Sequence, residues 1–350
     1  MLKTFGAALV LSSLLASPAF AHHSRAQFQL DETVVLKTKI TRVRWSNPHV
    51  FFAGTVVSDK GVAEEWVFEG HSIAGLARLG WNKDTLKAGD DVQMIVNRSR
   101  DRSKLFALVD SVILADGKKL YSVGVPPPNA VAQRPPVEPS KDFSGNWRFR
   151  FPGTPEEIRK RILLGAQGPK PDGPYTPRAK AQVVKYDAED NPALVCGHIS
   201  LPSVLMTVYE YKWTRHDDRI VIEKEQYADA TRTIWLKTKA RPKGYKPNPI
   251  GHSVGHFEPD GTLVVETDGF SAAKWGNGPG IDSSTRKRIV ERYQLIDGGM
   301  GISLSYTQED PAYFTQTVTG QGTFAKSPTA EFVKQPPCDL GAARQHLKFE

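Results

Sequence analysis

At 350 residues, with 39% hydrophobic and 24% charged side chains, the chain is long enough for two domains with cores of their own, and its composition excludes a disordered or fibrous protein. The formal net charge of +8 is spread along the sequence, with clusters only at Arg98–Lys104 and Arg286–Arg288. That spread suits an anionic envelope surface, or simple solubility, better than nucleic acid.

The first segment carries Lys3, an apolar run from Phe5 to Leu15 and a small-residue exit at Ser17–Ala21, which is the layout of a secretory signal peptide. Residues 1–21 are read as that signal, cut after Ala19-Phe20-Ala21, and the mature protein as periplasmic or secreted. No later apolar run approaches the roughly 20 residues needed to cross a bilayer as a helix. Cleavage makes His22 N-terminal, so that its free amine and imidazole form a chelate suited to copper. His49 is the expected partner in a three-nitrogen Cu(II) site, and His23 is the third candidate ligand, although successive residues of an extended chain point to opposite faces. The structural alternative leaves His22 and His23 exposed and has His49 cap a turn.

Period-2 patterns at Thr33–Trp45, His49–Val57 and Val62–Glu69 predict three strands. Ser72–Trp81 reads as a helix with Ser72 as N-cap, which makes His71 a helix-entry residue rather than a further metal ligand. Asp91–Asn97 and Leu105–Leu114 follow as strands. Three strands, a helix and two strands is the order of an OB-fold-like barrel, assigned to residues 22–121.

Six prolines between Ser122 and Ser140 mark 122–140 as a Pro-rich linker. In the second domain, 141–350, Thr154-Pro155-Glu156-Glu157 predicts a capped helix over Pro155–Leu164. Eight strands are expected beyond it: Thr207–Thr214, Arg219–Gln226, Thr231–Thr238, His252–Glu258, Thr262–Asp268, Arg288–Leu295, Gly301–Gln308 and Tyr313–Phe324. Short antiparallel strands without long helices predict a lipocalin-like barrel or a sandwich, and a barrel of that kind leaves an interior for an apolar ligand. The fold class is thus mainly β, a small OB-like barrel followed by a larger antiparallel one.

Cys196 and Cys338, in a chain bound for an oxidising compartment, are expected to form one structural disulfide. It would close a loop of about 142 residues, worth on the order of 4 to 5 kcal/mol in the chain-entropy model. His252 is the candidate general base, facing the barrel interior with Glu266 or Asp268 on the next strand to orient it. His252 and His256 lie about 13 Å apart along a strand, too far to share one ion. Tyr209, Tyr211 and Trp213 alternate on one strand as candidate ligand-lining residues, core packing being the other reading. Gly251-His252-Ser253-Val254-Gly255 matches a nucleophile elbow in letters, but no helix follows to build one. Nucleotide-binding loops and the His-Glu-x-x-His zinc motif are absent.

Two resemblances follow from longer motifs. Ala21-His22-His23-Ser24, Asn47-Pro48-His49, Trp66-Val67-Phe68-Glu69, Leu79-Gly80-Trp81 and Leu86–Asp90 resemble an uncharacterised family of exported bacterial proteins, over residues 21–121. Asp142–Trp147, Gly251–Gly255 and Asp260–Thr267 resemble a second uncharacterised β module, in which His256 takes a position often held by Arg. The resemblance implies an envelope β protein and brings no reaction with it. The expectation is therefore an exported binding protein, taking copper at its N-terminus and a small apolar molecule in the second barrel. The alternatives are a lyase, isomerase or hydrolase using His252, and a module that docks an envelope protein partner.

Overall fold

Exposed and buried side chains alternate along β1 (Val34–Arg44) of the computed structural model, which describes residues 27–123, 136–154, 168–187, 190–207, 209–225, 231–328 and 332–344. β1 pairs antiparallel with β2 (Phe51–Val57) and β4 (Asp91–Arg98); β3 (Ala63–Glu69) pairs with β2, and β5 (Phe106–Ile113) with β4. Parallel pairing of β3 with β5 closes the ring. Helix α1 (Ile73–Arg78) sits between β3 and β4, as an OB-like order requires, and Ser72 Oγ caps it by accepting the Gly75 N–H at 3.2 Å. Phe52, Trp66, Phe68, Leu76 and Met94 fill the interior. A short strand not foreseen in the sequence, β6 (Lys119–Tyr121), extends β5.

The second sheet has nine strands: β7 (Gly145–Arg150), β8 (Glu210–Arg215), β9 (Arg219–Lys224), β10 (Arg232–Trp235), β11 (His252–Phe257), β12 (Leu263–Asp268), β13 (Arg288–Ile296), β14 (Gly301–Glu309) and β15 (Val318–Ser327). They follow one another around a closed barrel, with β15 returning antiparallel to β7. A ring with an odd number of strands cannot alternate direction all the way round, so one neighbouring pair must run parallel. That pair is β10 and β11, joined only at Ile234–Ser253 and Trp235–Val254. Parallel neighbours need a crossover, and residues 236–251 supply it without a helix.

Three sequence expectations are corrected. β7 begins within the Asp142–Trp147 segment, which the sequence marks as a domain start, and runs on to Arg150. β15 begins at Val318 rather than Tyr313, because Asp310 and Pro311 open a turn in which the Tyr313 and Phe314 N–H groups both donate to the Asp310 carbonyl at 2.8 Å. Helix α2 (Pro177–Val184), capped by Thr176, is an unexpected helix whose Thr176-Pro177 start is the same signal as Thr154-Pro155. The helix predicted over 155–164 and linker residues 124–135 lie outside the described residues.

The barrel interior is occupied by the protein's own side chains. Trp147, Tyr211, Trp213, Ile222, Val265, Tyr293 and Phe324 form one buried cluster. Beside them Arg232 forms a double ion pair with Glu291, and its remaining donors reach Ser253 Oγ and Thr267 Oγ1, each at 3.0 Å. The Tyr293 hydroxyl donates to Glu291 Oε1 at 2.8 Å. Every charge in this network has a partner, which is the condition for tolerating ions in a core.

The two barrels are tied by a C-terminal strap, residues 332–344. Cys338 is disulfide-bonded to Cys196, as expected. The Gln335 N–H donates to the Glu225 carbonyl at 3.4 Å, on the large-barrel side. Towards the small barrel, the Asn47 side-chain amide donates to the Pro336 carbonyl at 3.1 Å and Arg44 pairs with Asp339 at 2.7 Å. Helix α3 (Leu340–Ala343) then places Ala342 against Phe28, Phe51, Phe106 and Leu108.

Candidate functional site

The crossover 236–251 has to return from the end of β10 to the start of β11, and it does so along the outer wall. Three hydrogen bonds pin it beside the end of β12: Arg241 to Asp268 Oδ1 at 2.7 Å, the Tyr245 hydroxyl to the Gly269 carbonyl at 2.7 Å, and the Ser271 N–H to the Asn248 carbonyl at 3.0 Å. The space between this crossover and the wall is a groove of about 1120 Å³. Leu236, Lys237, Lys239 and Arg241 form its lip, and His252, Val254, His256, Glu266, Asp268, Arg288, Val290 and Glu309 contribute to its floor. A shallower depression of about 460 Å³ shares Val290 with it and runs on towards β15.

Strand alternation explains the floor. Ser253, Val265 and Ile289 turn inward, so His252, Val254, Glu266, Asp268 and Val290 turn outward. His252, Glu266 and Asp268 therefore do share one face, but it is the outer one, which corrects the expectation that His252 points into the barrel. In register, His252 stands opposite Asp268, and Glu266 stands between Val254 and Val290. Asp268 is engaged by Arg241 rather than by the imidazole.

His252 is the least ordinary group in the groove. It is 6% exposed, the Tyr245 ring meets it edge-on with centroids 5.7 Å apart, and its Nε2 has no hydrogen-bond partner among the described residues. A buried ring nitrogen left unpaired costs about 1 to 3 kcal/mol. A ligand or a water that supplied the partner would recover that cost.

The other candidates fall elsewhere. Tyr211 and Trp213 are each 1% exposed and belong to the interior cluster, the Tyr211 hydroxyl donating to the Val204 carbonyl at 2.8 Å. Their ligand-lining role is corrected to core packing. Tyr209 precedes β8, with the Lys224 ammonium over its ring at 5.7 Å. Ser253 is buried, its hydroxyl shared between Arg232 and Thr267, so it is not an exposed nucleophile. The Ser72 N–H donates to His71 Nδ1 at 2.7 Å, so His71 serves the helix start.

His22 and His23 lie outside the described residues. His49 is half-buried at the start of β2, its Nδ1 held by Glu69 Oε1 at 2.6 Å. A carboxylate on one ring nitrogen fixes the tautomer and presents the other nitrogen as the basic one. Among the described residues no group of three or more His, Cys, Asp or Glu is placed to hold a metal.

Residues 10–106 match a family of unknown function (DUF6152). The matched stretch runs through the small barrel as far as the first residue of β5, in keeping with an uncharacterised domain there. Every groove residue lies beyond it. No curated protein and no solved structure matches the chain.

Sequence reasoning named His252, Glu266 and Asp268, but missed the lip, Lys237, Lys239 and Arg241. Their alternation with Thr238 and Ala240 reads as the tail of a strand. Pro242 and Gly244 just beyond were the available signal that the strand had already ended.

Proposed function

We propose that the protein is an exported binding protein of the cell envelope and that its ligand site is the outer groove of the large barrel. The observation that carries this reading is His252 Nε2, buried and without a partner among the described residues, in the wall of a groove slightly larger than the usual ligand pocket. A filled interior favours an outer site over the enclosed apolar pocket, and polar groups of both signs around the groove favour a polar ligand over an apolar one. The Cys196–Cys338 disulfide supports an oxidising compartment, hence export. The test is proton–carbon NMR of histidine-labelled protein titrated with amino acids, short peptides, simple sugars and organic phosphates. The His252 ring resonance is expected to shift with one of these classes and to stay put in the others; shifts confined to residues outside the groove overturn the reading.

A second reading, copper at the N-terminus, is favoured by the Glu69–His49 contact, which orients His49 as a metal-binding imidazole is usually oriented. It assigns the His22 amine and ring together with His49 to one Cu(II) ion. Electron paramagnetic resonance of signal-processed protein at one equivalent of Cu(II) is expected to give a three-nitrogen spectrum that His49→Ala abolishes. An unchanged spectrum in that variant removes His49 from the site.

A further inference from the structure

We propose that the groove takes a short peptide with free charged termini, an inference that rests on the outer-groove reading above. Three features of the groove point to that chemistry together.

The first is charge of both signs left open. Lys237 and Lys239 on the lip, Arg288 at the base of β13 and Glu266 on the floor are exposed and make no ion pair among the described residues, and the one pair within the groove joins Arg241 to Asp268. A purely anionic ligand would meet Glu266 and Glu309, and a purely cationic one would meet the lip. A ligand carrying an ammonium and a carboxylate at opposite ends satisfies both.

The second is an apolar strip between those charges. Leu236, Val254 and Val290 line the groove, and Val290 is exposed on its floor. Peptide side chains fit such a strip, whereas a sugar or a phosphate would leave it wet.

The third is an open strand edge. The parallel seam ends at Trp235–Val254, so among the described residues Gly255–Phe257 of β11 keep β12 as their only strand neighbour. Backbone groups at an unpaired edge are a ready template for an added extended chain. Gly255 and His256 both line the groove, which brings that template to the ligand.

The experiment uses the full mature protein and four probes: tetra-alanine with free termini, its N-acetyl form, its C-amide form and inorganic phosphate. Binding is read by calorimetry and by the groove resonances in NMR. Tetra-alanine is expected to bind, each cap to weaken it about three- to fivefold, as the loss of an exposed charge contact does, and phosphate not to compete. Glu266→Gln is expected to remove the penalty of N-acetylation, and Lys237→Ala with Lys239→Ala the penalty of amidation. Equal binding of free and capped peptides, or competition by phosphate at equal concentration, overturns the peptide inference while leaving the groove as a site. No groove shift with any probe, when other ligand classes also leave His252 unmoved, removes the groove itself.

Discussion

Arg78 of the small barrel meets Glu225 of the large one at 2.7 Å, and the Glu225 side chain is fully buried. Glu225 also accepts the N–H groups of Glu210 at 3.0 Å and Val333 at 2.9 Å. Burial pushes its carboxyl above the usual range, and Arg78 is the largest influence opposing that. One carboxylate thus collects donors from the first barrel, the second barrel and the strap.

Removing Arg78 leaves that charge buried with a partner lost. Arg78→Ala is expected to destabilise the protein by about 3 to 5 kcal/mol in urea unfolding. Lys39→Ala breaks an exposed pair with Asp91, 3.0 Å long, and is expected to cost under about 1 kcal/mol. Comparable losses in the two variants would show that Glu225 is not held by Arg78.

Lys224 supplies a pH dependence. It shares the inward face of β9 with Ile220 and Ile222, and burial pushes its ammonium down to about 7 from the ordinary 10.5. Between those values the unfolded chain holds a proton that the folded chain has released, so stability rises with pH across this window, by up to about 1.4 kcal/mol per unit from this one group. Unfolding midpoints measured from pH 7 to 9.5 are expected to climb, and Lys224→Met to lessen the climb while raising stability at pH 7, the buried Lys287, also pushed down to about 7, keeping its own share. A slope untouched by the substitution would mean that Lys224 keeps its proton when folded.

Trp213 separates packing from ligand contact. Its ring meets Tyr293 edge-on with centroids 5.1 Å apart, inside the cluster that fills the barrel. Trp213→Ala is expected to lose about 3 to 5 kcal/mol of stability and to leave the groove resonances responsive to ligand in whatever fraction stays folded. Selective loss of ligand response with stability intact would return Trp213 to a binding role.

The disulfide closes a loop with a sequence separation of 142 residues. Cys196→Ser with Cys338→Ser is expected to lower unfolding stability by up to about 4 to 5 kcal/mol. Limited proteolysis should then cut within 332–344 before either barrel. Cleavage that starts inside a barrel instead would show that the strap stays docked without the bond.

Most of this architecture could be read from periodicity. The strands of both barrels and the Ser72 cap carry local signals, alternation in the one case and a hydroxyl before an apolar helix face in the other. β7 was missed because Gly145 and Asn146 look like turn residues, and its strand character comes from pairing Trp147 with Tyr211 and with Lys326. That single omission hid the groove. With eight strands the ring closes antiparallel throughout and needs no crossover, whereas the ninth forces a parallel seam and with it the lip of Lys237, Lys239 and Arg241. The face taken by His252 was fixed by its strand neighbours, but which face was inside depended on the whole ring. Arg78 and Glu225 could not be paired from sequence at all, since nothing local links residues in different barrels.

The strap also sets an order of events. Ala342 seals a cluster whose other members include Phe28, Phe51 and Phe106, so apolar residues of the first barrel are covered only once the strap, which follows the second barrel in the sequence, has docked. Until then the first barrel carries an uncovered apolar patch. The completed docking of residues 332–344 therefore depends on both barrels at once, through the Cys196–Cys338 bond on one side and the Ala342 contact on the other.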